Sequence, residues 1–395
     1  MRGPSRTLAL LLVLAACGDE RWVVADVVVP AAPGRLCLLA LDDDGVVYDR
    51  GYDAAAGTLT FLAGDRVDES VELRAELWRG GRRLGRASQT AEFAGATIPL
   101  EPRACRDGAG GAAETLGGAP GAMALAAADP DRDGRDELYV AFADRTESLD
   151  GEAAPWESLV GPADLDGDCF AELWGFAGGA LTDGETTLPL AGEAAAFGDA
   201  GEGPRVYVGG PDGLAAGAPG VASRTLSGAP TRAVALADLN GDGFDEVVAG
   251  GGAGIEVYFG GDGGPVIAPG ATPAGWTALD LALGDVDGDG DPDLAVLRPE
   301  GFALALNRGD GFLEATASPG GAAVGLRAGD VDGDCLADVV VLGGAEGSSR
   351  WFPGGTGTAV ELGDGVVDAV FADVRGRGRE LVLLRADGTV EVWGS

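Results

Sequence analysis

The chain has 395 residues, an apolar content of 46% and a formal charge of −37, because 64 acidic residues stand against 27 basic ones. This length and apolar content allow two or three domains with full cores, and the charge excludes nucleic acid as a partner. The sequence contains no histidine and no lysine, which excludes a Ser-His-Asp triad, histidine-ligated zinc and a Schiff-base lysine within this chain.

The first 17 residues form a targeting segment. Arg2 and Arg6 precede a short apolar run at 8–14, and the segment ends in Leu-Ala-Ala-Cys17. The run is too short to span a bilayer as a permanent helix. The segment resembles the signal peptide and lipobox of bacterial lipoproteins, which implies lipidation of Cys17 and a lipid-anchored protein of the bacterial cell envelope, at the outer membrane or cell surface. The alternative, an ordinary secretory signal, also places the protein outside the cytoplasm.

Residues 18–22 are interpreted as a tether, 23–104 as a small β-sandwich-like domain and 105–112 as a linker. The middle segment has no acidic loops and shows alternating apolar residues, which predict seven short strands. These strands are expected at 23–29, 35–41, 46–52, 58–62, 71–78, 83–93 and 97–100. We assign this domain no chemistry and interpret it as a spacer or accessory module. Cys37 and Cys105 bracket it and could pair in an oxidising compartment.

A nine-residue acidic loop begins at Asp285 and is followed by the apolar run 294–297. Carboxylates stand at positions 1, 3, 5 and 9, and Gly290 at position 6 permits the positive φ that brings position 9 back. A chain that curls around one ion turns alternate side chains inward, and position 7 can add its carbonyl. Hard oxygen donors at this spacing are typical of a calcium site.

This acidic loop recurs, and we number the copies loops 1 to 7 by their first aspartates: Asp129, Asp164, Asp199, Asp238, Asp285, Asp330 and Asp373. The spacing of 35 to 47 residues predicts a solenoid, a propeller or an array. Loops 3 and 7 are eroded, yet every first aspartate follows an alanine or glycine. We interpret this small residue as a packing requirement on the inner strands of a ring.

The pattern of each repeat predicts four strands, with the acidic loop between the first and the second. The last repeat has only three strands. The missing strand could come from residues 113–117, just before the first repeat. Borrowing it would close the ring and remove a free sheet edge.

Residues 113–395 resemble FG-GAP repeats, the units of the seven-bladed β-propeller of integrin alpha subunits and many bacterial surface proteins. The resemblance rests on the five intact Asp-x-Asp/Asn-x-Asp loops and on 206–214, 256–261 and 306–312. It implies an all-β chain, with a seven-bladed β-propeller after the small β-sandwich-like domain, and calcium in the loop between the first two strands of a blade. Loops 3 and 7 depart from the motif at positions 3 and 5, so we expect no ion there.

Carried over to the intact loops, the resemblance implies up to five calcium ions, bound by side chains at positions 1, 3, 5 and 9 and by the carbonyl at position 7. The residues are Asp129, Asp131, Asp133, Arg135 and Glu137 in loop 1; Asp164, Asp166, Asp168, Phe170 and Glu172 in loop 2; Asp238, Asn240, Asp242, Phe244 and Glu246 in loop 4; Asp285, Asp287, Asp289, Asp291 and Asp293 in loop 5; and Asp330, Asp332, Asp334, Leu336 and Asp338 in loop 6. Cys169 and Cys335 replace the glycine at position 6, which predicts weaker sites in loops 2 and 6. The alternative is that these residues form Asx-type turns without an ion.

The preferred function is a non-enzymatic binding or adhesion module for a protein or glycan, monomeric and in contact with the membrane through its lipid anchor only. One alternative is an enzyme that cleaves extracellular polysaccharides or phosphodiesters with acidic residues, and another is a purely structural envelope component. The tripeptide Arg308-Gly309-Asp310 matches one read by some integrins, but a hairpin turn is the favoured interpretation. The tryptophans of the repeats could line a glycan surface, although packing is favoured.

Overall fold

The computed structural model divides the chain into two compact units, Met1–Ala104 and Cys105–Asp166 with Ala171–Ser395. It describes residues 113–393 except 131–134, 155, 167–170, 317–321, 331, 333, 335, 356–357 and 376–379, and before residue 113 it describes the main chain of nine strands. Apart from the 3-10 turn Pro353–Gly355, every regular element in this part of the chain is a strand. No helix among the described residues has the length and apolar character needed to cross a membrane.

The first unit contains two antiparallel sheets. Its strands are β1 (Leu10–Val13), β2 (Ala16–Cys17), β3 (Glu20–Val27), β4 (Arg35–Asp42), β5 (Gly45–Asp53), β6 (Thr58–Ala63), β7 (Ser70–Arg79), β8 (Arg82–Glu92) and β9 (Thr97–Ile98). One sheet has the order β2-β3-β1-β9 with β6 also on β3, and the other has the order β5-β4-β7-β8. Lipidation of Cys17, the domain boundaries and the sandwich remain predictions, and Cys105 lies outside the described residues.

Seven four-stranded antiparallel sheets, one for each repeat, form the blades of a β-propeller. Blades 1 to 3 contain β11 (Ala124–Ala128), β12 (Glu137–Ala141), β13 (Thr146–Ser148) and β14 (Ala153–Ala154); β15 (Ser158–Ala163), β16 (Glu172–Ala177), β17 (Ala180–Thr182) and β18 (Thr187–Leu188); and β19 (Ala194–Gly198), β20 (Arg205–Gly210), β21 (Gly213–Ala218) and β22 (Val221–Ser227).

Blades 4 to 6 contain β23 (Ala233–Ala237), β24 (Glu246–Gly251), β25 (Gly254–Phe259) and β26 (Val266–Ile267); β27 (Asp280–Gly284), β28 (Asp293–Arg298), β29 (Gly301–Asn307) and β30 (Leu313–Ala315); and β31 (Gly325–Gly329), β32 (Asp338–Leu342), β33 (Ser348–Phe352) and β34 (Val360–Asp364). Blade 7 contains β35 (Val366–Ala372), β36 (Glu380–Arg385) and β37 (Thr389–Trp393) from the last repeat and β10 (Glu114–Gly118) from before the first.

The core of the propeller consists of apolar layers between neighbouring blades. Strand β32 is buried along its whole length, and its alternate side chains point to opposite faces. Val339 and Val341 pack in the layer shared with blade 5, whereas Val340 and Leu342 pack in the layer shared with blade 7. This two-sided burial explains why the second strands of the repeats are continuous apolar runs rather than alternating ones.

The ring is closed by a strand borrowed from the start of the unit. Strand β10 pairs with β37, with Glu114 opposite Val392. An apolar layer joins Leu125 and Val140 of blade 1 to Val382 and Val390 of blade 7. Closure by residues just before the first repeat, expected from the missing fourth strand, is confirmed.

The first strand of each blade lies next to the first strands of both neighbouring blades, including β35 next to β11. The inner strands of blades 2 to 6 line a cavity of about 470 Å³. A Cβ atom on Gly284 would lie 2.5 Å from Cβ of Ala337, and one on Gly198 would lie 2.6 Å from Leu236. The packing requirement for a small residue before the acidic loop is thereby confirmed at these two glycines. Because every acidic loop follows an inner strand, the loops share one face of the ring.

Candidate metal centres

Loop 5 gathers three carboxylates at one point. One oxygen each of Asp285, Asp287 and Asp289 lies within 4.8 Å of the others. The main chain holds these side chains in place, since the N–H of Gly290 donates to Asp285 at 3.0 Å and that of Asp289 donates to Asp287 at 3.2 Å. The prediction that positions 1, 3 and 5 converge is confirmed for this loop.

Loops 4 and 6 follow the same hydrogen-bond plan. In loop 4 the N–H of Asp242 donates to Asn240 and that of Phe244 donates to Asp242, both at 2.8 Å. In loop 6 the N–H of Leu336 donates to Asp334 at 2.8 Å. A second convergent group consists of Asp330, Asp332 and Asp338. The residue at position 7 thus orients the carboxylate at position 5 through its N–H.

The carboxylate at position 9 connects its loop to the rest of the blade. In loop 4, Glu246 accepts hydrogen bonds from the N–H of Leu239 at 2.6 Å and of Gly260 at 3.2 Å. In loop 5, Asp293 accepts them from Val286 and from Asn307, at 2.9 and 2.8 Å. These donors lie at position 2 of the loop and at the end of the third strand. The carboxylate at position 9 therefore ties the start of its loop to the end of the third strand.

Burial raises the pKa of both position-9 groups. The pKa of Glu246 rises to about 7 and that of Asp293 to about 6, in each case chiefly through desolvation. The hydrogen bonds from the main chain lower both values without cancelling this effect. The neighbouring carboxylates raise them further, Asp242 and Asp238 for Glu246 and Asp287 and Asp289 for Asp293.

Glycine at position 6 takes the positive φ that the sequence predicted, at +98° in Gly243 and +97° in Gly290. Position 4 also needs it, with φ of +72° in Gly241 and +80° in Gly288. Glycine recurs at position 4 in loops 2, 4, 5, 6 and 7, so the sequence also indicated a turn at this position.

Loops 1 and 2 are described in part. Their first and last carboxylates, Asp129, Glu137, Asp164 and Glu172, flank the turns that lead into β12 and β16, together with Arg135 and Asp166. Asp131, Asp133, Asp168 and Phe170 lie outside the described residues, as do Cys169 and Cys335. Their ligand roles stay predictions.

The donor set of loops 4 to 6 suits a hard divalent cation. It offers carboxylate and amide oxygens without nitrogen or sulfur, as calcium sites do. Three ionised carboxylates within 4.8 Å repel one another unless a cation or protons neutralise them. The Asx-type turns of the alternative interpretation are present, and they aim the same carboxylates toward one point, so the turns and an ion site are compatible.

Loop 7 contains an arginine where the other loops have a carboxylate. Arg375 stands at position 3, and its Nε and Nη2 both contact Oε1 of Glu380, which begins the second strand as Asp293 does in blade 5. Glu380 is 2% exposed. Nη1 of Arg375 also lies 2.8 Å from Glu114 at the start of the borrowed strand β10.

Loop 3 shows the reverse arrangement. Arg205 begins the second strand of blade 3, the place of the position-9 carboxylate elsewhere, and its Nε lies 3.3 Å from Glu202 within the loop. Arg224 approaches the same carboxylate at 3.2 Å. In both eroded loops a guanidinium group supplies positive charge beside a glutamate, and the expectation that no ion binds there stays a prediction.

Two other sequence signals have structural explanations. The Arg308–Asp310 tripeptide lies in the turn between β29 and β30, where the N–H of Gly309 donates to Asn307 at 3.1 Å. The hairpin interpretation is confirmed. Among the tryptophans, Trp156, Trp174 and Trp351 are buried, as the packing interpretation expects.

Comparison with known proteins gives one family match. Residues 238–296 and 285–341 each match the model of the FG-GAP-like repeat. These spans contain loops 4, 5 and 6 entire. A search of curated proteins found no match.

Among solved structures, BBS1N in complex with ARL6DN aligns at 12% identity and a TM-score of 0.53, over 72% of this chain and 95% of that chain. An Agrocybe aegerita lectin that recognises non-reducing terminal N-acetylglucosamine aligns at 16% identity and a TM-score of 0.43, over 94% and 97%. A Bacillus licheniformis rhamnogalacturonan lyase aligns at 16% identity and a TM-score of 0.31, over 97% and 75%. At these identities a likeness concerns the fold alone.

Proposed function

We propose that this seven-bladed FG-GAP β-propeller is a calcium-binding, non-enzymatic module of the bacterial cell surface that binds a protein or glycan and is anchored by a lipid on Cys17. The observation that carries the proposal is the repeated use of acidic side chains in loops with one hydrogen-bond plan. Loops 4, 5 and 6 share the hydrogen bond from position 7 to position 5, and in loops 5 and 6 three carboxylates lie together at the end of an inner strand. Chemistry repeated in this way supports a structural role for the ions.

Positions 1, 3, 5 and 9 of the five intact loops would hold the ions, with the carbonyl at position 7. Bound calcium would supply the positive charge that the converging carboxylates lack. The residues of the chain orient those carboxylates through main-chain N–H groups, as Gly290 does for Asp285, and so reduce the cost of ordering the site.

The opposite face of the ring supports the binding proposal. One exposed residue precedes the inner strand in each of blades 1 to 6 and donates its N–H to the second strand at 2.7 to 2.8 Å. In chain order these residues are Met123, Glu157, Glu193, Arg232, Leu279 and Val324. Blades 5, 6 and 1 thus present aliphatic side chains, and blades 2 to 4 present charged ones. Such a surface suits a partner with an apolar patch beside polar or charged groups.

Calcium binding is tested by thermal unfolding of the protein in millimolar calcium and in excess chelator. A site that only the folded chain forms should contribute about 2.7 kcal/mol at a calcium concentration about 100 times its dissociation constant. We expect a marked rise of the unfolding midpoint in calcium and several ions per chain by elemental analysis. Asp287→Ala should remove one ion, whereas the matched control Asp310→Ala, in the hairpin turn, should remove none. An unchanged midpoint and a metal-free protein would contradict calcium binding.

Partner binding is tested by capture of envelope proteins and glycans on immobilised protein in calcium. Val324→Asp, on the face opposite the acidic loops, should weaken capture, and Val266→Asp, on the exposed outer strand of blade 4, should not. Incubation with polysaccharides and phosphodiesters tests the enzymatic alternative. A turnover abolished by one acidic substitution would overturn the non-enzymatic assignment.

A further inference from the structure

Neighbouring acidic loops contact each other at one recurring place. The residue at position 8 donates its N–H to the carbonyl at position 1 of the loop in the preceding blade. This bond joins Asp136 to Asp373 at 2.9 Å, Asp245 to Asp199 at 2.8 Å and Ala337 to Asp285 at 2.6 Å. Each carbonyl belongs to the first residue of a loop, so a bond of this kind ties the position of one loop to that of the next.

Loop 5 cannot form this bond to loop 4, because its position 8 is Pro292, which has no N–H. Asn307, at the end of β29, takes over the connection. Its Nδ2 donates to the carbonyl of Leu239 in loop 4 at 2.6 Å and to that of Pro292 at 3.1 Å. Asn307 is 1% exposed, so water does not compete for these bonds.

Asn307 also connects the two position-9 carboxylates. Its own N–H donates to Asp293 of loop 5 at 2.8 Å. Leu239, which accepts from its side chain, donates its N–H to Glu246 of loop 4 at 2.6 Å. A chain of buried hydrogen bonds therefore runs from one carboxylate to the other through Asn307 and the main chain of a single residue, Leu239.

We infer that Asn307 couples ion binding at loops 4 and 5, so that calcium in one loop raises the affinity of the other. An ion that fixes Glu246 also fixes Leu239, which donates to it. The carbonyl of Leu239 then holds the side chain of Asn307. The main-chain N–H of Asn307 in turn holds Asp293 of loop 5. The second ion then binds to a loop whose support is already ordered, so binding at the two sites is positively cooperative. The inference rests on the proposed calcium binding.

The experiment follows each loop separately by hydrogen exchange and mass spectrometry of the full-length protein during a calcium titration. Peptides that cover 238–246 and 285–293 report the calcium midpoint of protection at loops 4 and 5. Asp242→Ala, an exposed ligand of loop 4, should raise the midpoint of loop 5 by about fivefold or more. When Asn307→Ala is already present, adding Asp242→Ala should not change the calcium midpoint of loop 5 any further.

A rescue variant separates coupling from general damage. Pro292→Ala restores the N–H that position 8 uses in blades 1, 4 and 6, so Asn307→Ala with Pro292→Ala should regain part of the coupling. The inference is overturned if Asp242→Ala does not move loop 5 in the parent protein, an arm that does not depend on the folding of Asn307→Ala. It is also overturned if the shift persists without Asn307. Calcium protection of neither loop would instead refute calcium binding, and the inference with it.

Discussion

At the scale of single residues, the position-9 carboxyl groups make the metal-free protein sensitive to pH. The pKa of Glu246 is about 7 and that of Asp293 about 6, both above the usual values because the groups are buried. The folded chain therefore holds protons that the unfolded chain releases. The stabilisation linked to these protons is complete below the unfolded pKa, about 4, and is lost as the pH rises through the folded values.

In excess chelator we expect the unfolding midpoint to fall from about pH 4 to about pH 7, between the unfolded and the folded pKa values. Calcium should reduce or reverse the fall, because its ligands bind in the deprotonated form. A series of thermal unfolding curves measures both profiles. Glu246→Gln keeps a neutral group in place and should flatten part of the chelator profile. A chelated protein that becomes more stable as the pH rises would contradict this assignment.

Some residue-scale features could be predicted from the sequence and others could not. The small residue before each loop was predictable, because seven copies agree on it. The residue that this small residue packs against was not predictable. Gly284 packs against Ala337 of the next blade, and no local sequence pattern indicates this contact. The same holds for Asn307, whose contact with Leu239 joins residues 68 positions apart.

At the scale of the loop, an arginine pairs with a glutamate in each of the two eroded copies. The sequence shows that these two loops have fewer carboxylates than the others. It does not show that an arginine side chain contacts a glutamate in each of them. Arg375 and Arg205 occupy ligand positions of the repeat. An arginine at a ligand position, with a glutamate a few residues away, was the available signal.

We expect Arg375→Gln to destabilise blade 7 equally in calcium and in chelator. The substitution leaves Glu380 buried without its ionic partner, at a cost of about 2 to 3 kcal/mol, and it also frees Glu114 of β10. Denaturant unfolding under both conditions measures the change. Arg145→Gln is the matched control, because Arg145 pairs with Asp144 and Glu147 at the exposed surface, and it should have no measurable effect. A loss confined to chelator would show that loop 7 binds an ion after all.

At the scale of the whole molecule, the repeat count and the incomplete last repeat were sufficient to predict a closed ring. The identity of the closing strand followed from its place just before the first repeat. The charged contacts that secure it were not predictable, because Arg375 and Glu114 lie at opposite ends of the propeller sequence.

Leu116→Asp should weaken ring closure. Leu116 of β10 packs on the layer between blades 7 and 1, and a carboxylate there would cost about 2 kcal/mol or more. Val221→Asp places the same charge on β22, the exposed outer strand of blade 3, and should be tolerated. Unfolding midpoints and sedimentation measure stability and self-association. Equal effects of the two substitutions would argue against a special role for β10.

The pairing of β10 with β37 has a consequence for biosynthesis. The ribosome makes β10 before any complete blade and its partner β37 at the end of the seventh repeat, so β10 stays unpaired while the seven repeats are translated. Such an edge is open to exchange with another unfinished chain, and its eventual pairing is among the most non-local steps of folding. The period before β37 emerges is therefore when a chaperone would contribute most to the yield of this protein.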